Sequence, residues 1–399
     1  MTNVDNDRPH IRLLPKRHRR VKGGHPWIYS NEIEFTAEAK ALSPGEVVVF
    51  ENAAREPLGA GFFNPKPLVV GRMLSQDAGL AVGQAFYETR IAKALALRDR
   101  LFPEPFYRLI HAEADGLPGL IVDRYGDVLS AQFNTAGVAA RRNDILAALQ
   151  AVLQPRGVLA AADSPGLGVE GQPAVADEIV GEIGQPVELM ENSLVFLADL
   201  AGGQKTGWFY DQRRNRAAVA AVSAGARVLD VYCYLGGFGL NAAAAGAAEV
   251  LCVDRSEPAL RLAAASAERN GVGARCGFER AEAFRFLEAA VQKGERWDVV
   301  VVDPPAFVKS RKDLSAGLRG YRKLVRLAAR LVAPGGFLFA ASCSHNVDDA
   351  AFAEQVRHGL SDAGRNGRIL LSAGAGPDHP VHPFLAESAY LCSQLLQLD

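Results

Sequence analysis

The second half of the chain alternates short apolar runs with helical stretches, and nothing else in the sequence limits the fold as strongly. After Ala201, strand candidates run from Val228 to Tyr232, Val250 to Asp254, Val299 to Asp303 and Phe337 to Cys343. Helical patterns near Ala242, from Ala259 to Asn270 and from Leu318 to Leu331 separate them, with a shorter strand candidate from Cys276 to Glu279. Strands that alternate with helices in this way form a parallel, doubly wound sheet with right-handed crossovers. A Rossmann-like α/β domain is expected over residues 196–399, its ligand lying beyond the carboxyl ends of the strands at the switch point in strand order.

The preceding residues follow other patterns. From Ile11 to about Met73, runs such as Glu46-Val47-Val48-Val49-Phe50 and Leu68-Val69-Val70-Gly71-Arg72-Met73 alternate with Gly, Pro and Asn turns. They predict a small β-rich binding module within residues 1–80. Residues 81–195 read as α+β, with a helix from Glu88 to Leu101, a strand at Leu120-Ile121-Val122-Asp123 and a second helix from Ala139 to Leu153. At 399 residues the chain exceeds what one core usually covers. The polar stretch from Met1 to His10 lacks an apolar core, and no later run stays free of charge for the ~20 residues a bilayer demands. A cytoplasmic protein without a membrane partner is expected. The cysteines at 233, 252, 276, 343 and 392 are odd in number and fall in no ligand spacing, against a disulfide framework and against a structural metal.

The net charge of -1 hides an asymmetry. Arg8, Arg12, Lys16, Arg17, Arg19, Arg20 and Lys22 give the segment from Arg8 to Asn31 a charge of +7 with no acid, which leaves -8 elsewhere. Such a segment points to a polyanionic partner, a solvated basic arm being the alternative.

Several chemistry-bearing residues fall at the strand ends. Asp230 closes the first strand, and Gly236-Gly237-Phe238-Gly239 lets backbone approach a ligand before the next helix. Asp254 ends the second strand, where a carboxylate can accept both ribose hydroxyls. Gly237-x-Gly239-x-x-Ala242 matches a dinucleotide fingerprint in form, but Tyr232-Cys233-Tyr234-Leu235 lengthen the loop, which suits an adenosyl ligand without pyrophosphate better than NAD. Glycines that merely pack a helix on a sheet are the alternative. Asp303-Pro304-Pro305-Ala306-Phe307 holds a rigid extended bend that can present carbonyls and the Phe307 ring to a planar base. Cys343, flanked by Ser342, Ser344 and His345, ends the next strand on the same edge. A thiolate there can add to carbon 6 of a pyrimidine and make carbon 5 nucleophilic, whereas most cysteines at strand ends are small inert hydrophobes. His345, two residues on, shares the Cys343 face in extended backbone.

Taken together these motifs resemble, nearly end to end, the bacterial 23S rRNA large-subunit methyltransferase family, built from a PUA domain, a central α+β domain and a class I methyltransferase domain. The best-known members make 5-methylcytosine. His25-Pro26-Trp27-Ile28-Tyr29-Ser30 is similar to the opening of the family's PUA module, and the run from Glu113 to Asp127 to its central-domain signature. The run from Gln204 to Arg216 resembles the motif that closes over the cofactor; the loop from Tyr232 to Phe238, Asp254, Asp303-Pro304-Pro305 and Ser342-Cys343-Ser344-His345 follow in the family's order.

The resemblance implies S-adenosyl-L-methionine as cofactor and 23S rRNA, or an assembling large ribosomal subunit, as partner; homo-oligomerisation stays open. It makes Cys343 the nucleophile, with Asp303 and His345 as candidates for the proton transfers. Cofactor contacts are implied for Lys205, Thr206, Asp211 and Gln212 before the first strand, and for Asp230, Tyr232, Tyr234 and Gly236 in the loop. Asp254 and Arg255 at the ribose, Glu282 and Phe284 at the adenine, and Asp303 complete them. The family usually has Asp where Glu282 stands, and Ala306 takes the place of a second cysteine that serves product release in many cytosine-carbon-5 RNA methyltransferases. RNA contacts are assigned to Arg17, Arg19, Arg20, Arg213, Arg216 and Phe307, and to a basic face with Lys309, Lys312, Arg319 and Arg322. The rivals are a guanine-nitrogen methyltransferase that needs no thiol, a non-catalytic RNA-binding assembly factor and, more distantly, a nicotinamide dehydrogenase.

Overall fold

The computed structural model describes residues 8–161, 165–173, 176–203 and 206–399. They form two compact units: one runs up to Gly184 and is rejoined by Asp378–Ser388, the other comprises Gln185–Pro377 with Ala389–Asp399.

In the first unit a five-stranded sheet sets His10–Arg12, Glu46–Glu51, Pro57–Phe63, Val69–Ser75 and Trp27–Tyr29 side by side in that order. Val47, Val48, Val49 and Phe50 are all buried, as a continuous apolar run requires. A second five-stranded sheet orders Glu178–Gly181, Gly157–Ala161, Val128–Phe133, Leu120–Tyr125 and Phe106–His111. The helix Gln84–Leu101 buries Tyr87, Ile91 and Ala94 in the core of this second sheet, and Val47, Phe62 and Leu74 of the first sheet join the same core. That shared interior is why the β-rich and α+β regions form one unit. The single helix expected over 139–153 is two, Ala136–Ala140 and Arg142–Leu153, broken at Arg141.

Buried charge anchors the returning segment. Arg98 is fully buried, grips both oxygens of Asp115 at 2.6 and 2.8 Å and donates to the Asp378 carbonyl at 3.0 Å. The Arg108 backbone N–H donates to the Asp378 carboxylate at 3.1 Å. An ion pair taken out of water needs this full set of partners.

The second unit is built on a seven-stranded sheet. Its strands are β1 (Arg227–Val231), β2 (Glu249–Asp254), β3 (Cys276–Arg280), β4 (Trp297–Val302), β5 (Val332–Ser342), β6 (Gly367–Ala373) and β7 (Cys392–Leu398). Their spatial order is β3-β2-β1-β4-β5-β7-β6, so the order reverses between β1 and β4. The helices are α1 (Arg213–Ala220), α2 (Gly237–Ala244), α3 (Glu257–Arg269), α4 (Ala283–Lys293), α5 (Leu314–Leu331) and α6 (Asp349–Asp362). β1 to β5 lie close to the expected runs and pair in parallel. The expectation of a wholly parallel sheet is corrected at one end, where β7 runs antiparallel to both β5 and β6.

A hairpin of Val187–Glu191 and Leu194–Ala198 also belongs to this unit. It is bonded to α3, Val195 N–H donating to Asn270 Oδ1 at 2.9 Å and Leu197 N–H to Ser266 Oγ at 3.0 Å. The units therefore divide after Gly184 rather than after residue 195, because the hairpin's partners lie on α3 of the second unit. Among the described residues no helix is long and apolar enough to cross a membrane.

Candidate active site

The carboxyl ends of β1, β2, β4 and β5 carry the site. Asp230, the penultimate residue of β1, is fully buried between its sheet neighbours Cys252 and Val301. Its Oδ2 accepts the Gly239 N–H at 2.8 Å, while its Oδ1 has no hydrogen-bond partner among the described residues. Burial drives this carboxyl up to about 7, with Asp303 and Asp254 pushing the same way and the Gly239 N–H and Arg216 opposing them.

The loop from β1 to α2 is strained. Tyr232, Tyr234 and Gly236 have φ of 66, 50 and 74°, and left-handed backbone costs a non-glycine residue about 1–3 kcal/mol. Surrounding groups fix it there. Tyr232 and Cys233 N–H both donate to the Val253 carbonyl, at 3.0 and 3.2 Å. Tyr234 N–H donates to Asp254 Oδ2 at 3.0 Å and its hydroxyl to the Gly207 carbonyl at 3.1 Å. Asp254 Oδ1 accepts the Ser256 N–H at 2.8 Å, so the carboxylate at the end of β2 is oriented from both sides.

The glycines of this loop serve packing. A Cβ at Gly237 would lie 2.5 Å from Arg216 Nε, and one at Gly239 would lie 2.5 Å from Cys252 Sγ. The alternative reading, in which glycines seat a helix on a sheet, therefore accounts for both. Gly236 supplies the positive φ that starts α2.

Before β1, Gln212 Nε2 donates to Asp303 Oδ2 at 2.9 Å and its Oε1 accepts from Asn215 Nδ2 at 2.5 Å. Asp211 Oδ2 accepts the Tyr390 hydroxyl at 2.5 Å. Thr206 is buried, Arg255 is exposed, and Lys205 lies outside the described residues. Glu282 is the N-cap of α4, its carboxylate accepting the Phe284 and Arg285 N–H groups at 3.2 and 2.9 Å. The Phe284 and Phe307 rings stack at 6.1 Å.

On the other side of the switch point, Cys343 follows β5 directly. It is half-buried, with its Sγ 3.8 Å from the Pro304 carbonyl oxygen, so the thiol and the Asp303-Pro304-Pro305 loop share one edge. Ser342 and Ser344 are buried and Cys343 and His345 are not, as alternation in extended backbone requires. Ser344 welds the two loops. Its Oγ accepts the Val308 N–H at 3.2 Å and lies 2.8 Å from the Tyr321 hydroxyl, which is 3.5 Å from the Phe307 N–H. Phe307 is half-buried with its ring 4.7 Å from that of Tyr321, so part of it is committed to the core. His345 is exposed and its ring lies 5.0 Å from that of Tyr390.

One RNA assignment is corrected. Arg216 is buried, its side chain 5% exposed; it pairs with the fully buried Glu191 at 2.6 Å and lies 4.2 Å over Trp208. A guanidinium held that way meets no phosphate. Arg20 is half-buried, bonds Glu32 at 2.5 Å and packs 4.7 Å over Tyr29. Arg213 is half-buried, near Glu191 at 3.7 Å, whereas its neighbour Arg214 is exposed. Of the basic segment, Arg8 donates to the Leu80 carbonyl at 2.6 Å and Arg12 to Glu51 at 3.1 Å, while Lys16, Arg17, Arg19 and Lys22 stay exposed. On the other basic face Lys309, Lys312 and Arg319 are exposed, and Arg322 is taken by Asp362 at 2.6 and 2.7 Å.

Sequence reasoning missed Tyr390, Ser344 and Glu191. The alternation around Cys343 could have indicated Ser344 as the inward partner; the other two are brought in by contacts remote in sequence.

Comparison with known proteins agrees with this arrangement. Residues 149–361 match the family described as S-adenosylmethionine-dependent methyltransferase, and residues 11–76 match a PUA-like domain. The chain is 36% identical over 386 residues to ribosomal RNA large subunit methyltransferase I of Aeromonas salmonicida, covering 96% of this chain and 97% of that protein. It is 33% identical over 391 residues to the protein of the same name in Klebsiella pneumoniae strain 342, covering 96% of each. In fold it is similar to a candidate SAM-dependent methyltransferase from Streptococcus mutans, with a TM-score of 0.82 at 21% identity over 98% of this chain and 100% of that one. A candidate methyltransferase complexed with SAH gives a TM-score of 0.83 at 20% identity with the same coverage.

Proposed function

The chain belongs to the S-adenosylmethionine-dependent methyltransferases with an N-terminal PUA-like domain, the family of the large-subunit ribosomal RNA methyltransferases, and from that premise we propose that it methylates carbon 5 of a cytosine in 23S rRNA through a covalent adduct at Cys343. The observation that carries the proposal is the position of Cys343, half-buried at the end of β5 beside the Pro304 carbonyl. Within this reading the first β-rich module and the exposed Lys16, Arg17 and Arg19 engage RNA.

The residues fit the cofactor. Asp230, Asp254 and Asp303 raise a negative field at adjoining strand ends, and one buried carboxylate oxygen of Asp230 has no partner among the described residues. A ligand bearing a sulfonium, an ammonium and ribose hydroxyls suits that donor set. Asp254 would take the ribose, the loop from Tyr232 to Gly236 the amino-acid end, and Glu282 with Phe284 the adenine; Asp211, Gln212 and Asp303 would close the site. S-adenosylmethionine supplies an electrophilic methyl group.

Cys343 then adds as thiolate to carbon 6 of the base, which places an electron pair on carbon 5. That pair would form the new bond to the methyl carbon as the sulfonium–methyl bond breaks, its electrons staying on sulfur so that the cofactor leaves as the neutral thioether S-adenosylhomocysteine. A base removes the proton from carbon 5, and the electrons of that C–H bond restore the ring double bond and expel the Cys343 thiolate. Asp303 and His345 are the two groups at this edge suited to the proton. Ala306 leaves no second thiol in the loop to assist the release.

The test is transfer of labelled methyl from S-adenosylmethionine into 23S rRNA by wild type and Cys343→Ala, with nucleoside analysis of the product. The expected outcome is 5-methylcytosine that the substitution abolishes while cofactor binding is kept. Methylguanosine that survives the substitution would refute the covalent mechanism and leave Cys343 a packing residue.

A further inference from the structure

We propose that Phe384, on the segment that rejoins the first unit, is a stacking platform for an unpaired RNA base, set beside the exposed cations of the basic helix. The proposal deepens the rRNA reading above and rests on it.

Phe384 is 56% exposed, unusual for a ring of this size in a chain with ample core to receive it. Its place is fixed. Gly24 has a φ of +103°, and a Cβ there would lie 2.9 Å from the Cδ2 and Cε2 atoms of Phe384, so the ring packs directly on bare backbone. From the other end His382 holds it: the Phe384 N–H donates to His382 Nδ1 at 3.2 Å, and the two rings lie 6.1 Å apart. Leu385, the next residue, is buried and pins the segment, with its N–H donating to the His382 carbonyl at 2.9 Å. The ring is thus presented on a supported backbone and loses little freedom when a base covers it.

The chemistry around it names the partner. Gly24 closes the turn after the helix His18–Lys22, whose last turn carries Arg19 and Lys22, both exposed. Lys16 and Arg17 precede that helix and are exposed as well. The Gly24–Phe384 contact places the segment beside the end of the basic helix. A flat apolar ring next to several solvated cations, with no acid between Arg8 and Asn31, matches single-stranded RNA, in which bases offer a π face and phosphates follow at short intervals. A duplex hides its base faces and would gain nothing from the ring.

The experiment uses the full chain and a labelled twelve-nucleotide single-stranded RNA, with a blunt-ended RNA duplex of equal charge for comparison. Phe384→Ala is expected to weaken single-strand binding about 5- to 150-fold, the range for one base stacked on an aromatic ring, and to leave duplex binding unchanged. Phe384→Tyr should restore it and Phe384→Leu should not, because planarity rather than apolar area is what the base uses. Arg17→Ala with Arg19→Ala should instead lower the salt slope. Unchanged single-strand affinity in Phe384→Ala, with methyl transfer to rRNA intact in wild type, overturns the platform and leaves the proposed reaction standing. A single-strand affinity that drops in the variant while 23S rRNA accepts no methyl group overturns the reaction and leaves the platform.

Discussion

Replacing Arg216 with Ala separates a structural cation from an RNA contact. In the sequence, Arg213-Arg214-Asn215-Arg216 reads as a phosphate-binding run, and in the structure its last member is buried against Glu191, Trp208 and Phe238. The substitution leaves Glu191, fully buried, with the Trp208 indole N–H at 3.0 Å and the more distant Arg213 as its remaining recorded partners. Breaking one side of a buried pair costs about 3–5 kcal/mol, and the lost packing on two rings adds to it. For a unit of this size each kcal/mol lowers Tm by about 2–4 °C, so a fall of about 6–20 °C is expected. Calorimetry of the full chain reads it. RNA binding measured well below the transition should keep its salt slope, because no phosphate partner is removed. A variant with unchanged Tm and a salt slope lowered by about one unit would refute the buried-pair argument and return Arg216 to the RNA interface.

Asp230→Asn should remove a pH dependence. The folded carboxyl sits at about 7 against an ordinary 3.8, so the stability it confers is full below pH 4 and is lost as pH rises to 7. Relative to wild type, the variant should gain about 2–3 kcal/mol more in urea unfolding at pH 8 than at pH 5; equal differences at the two pH values would show that the group ionises freely. Tyr390→Phe deletes the donor to Asp211 at 2.5 Å. A hydrogen bond to a charged group is worth about 1.5–3 kcal/mol, so unfolding free energy should fall by that amount and the affinity for S-adenosylmethionine with it; if neither moves, Asp211 is not held by Tyr390.

What the sequence made legible follows from the range of the interactions involved. β1, β2, β4 and β5 could be read because each carries a largely apolar, buried run, whereas β3 has no buried residue and offers only a short candidate; Asp230, Asp254, Asp303 and Cys343 could be placed because strand ends in such sheets converge. β6 escaped, since Arg368, Ile369 and Leu370 are exposed and show no burial pattern to find. β7 escaped with it, because its partner β6 is separated from it in sequence by a segment that folds into the other unit. Arg216 was misjudged because its neighbours Arg213 and Arg214 make the run look like basic surface, and only Glu191, remote in sequence, turns it inward. Glu282 shows how a resemblance and a structure can supply different halves of one role: the carboxylate expected near the adenine also caps α4, which fixes its direction.

The reversal of strand order between β1 and β4 explains why the two halves of the proposed chemistry stay apart until they must meet. Acids gather on the ends of β1 and β2, where the Tyr234 and Ser256 N–H groups orient Asp254 and the strained loop is held by hydrogen bonds to Val253 and Asp254. The thiol and the proline loop gather on β4 and β5, joined to each other through Ser344 rather than to the acidic side. Across the reversal Gln212 Nε2 donates to Asp303 Oδ2 at 2.9 Å and the Asp303 N–H donates to the Val231 carbonyl at 3.5 Å. Asp303 therefore belongs to both halves: it contributes to the field on Asp230 and begins the loop that faces Cys343. Within the proposed reaction this position favours Asp303 over His345 as the acceptor of the carbon-5 proton, since Asp303 adjoins both the acids and the thiol's loop.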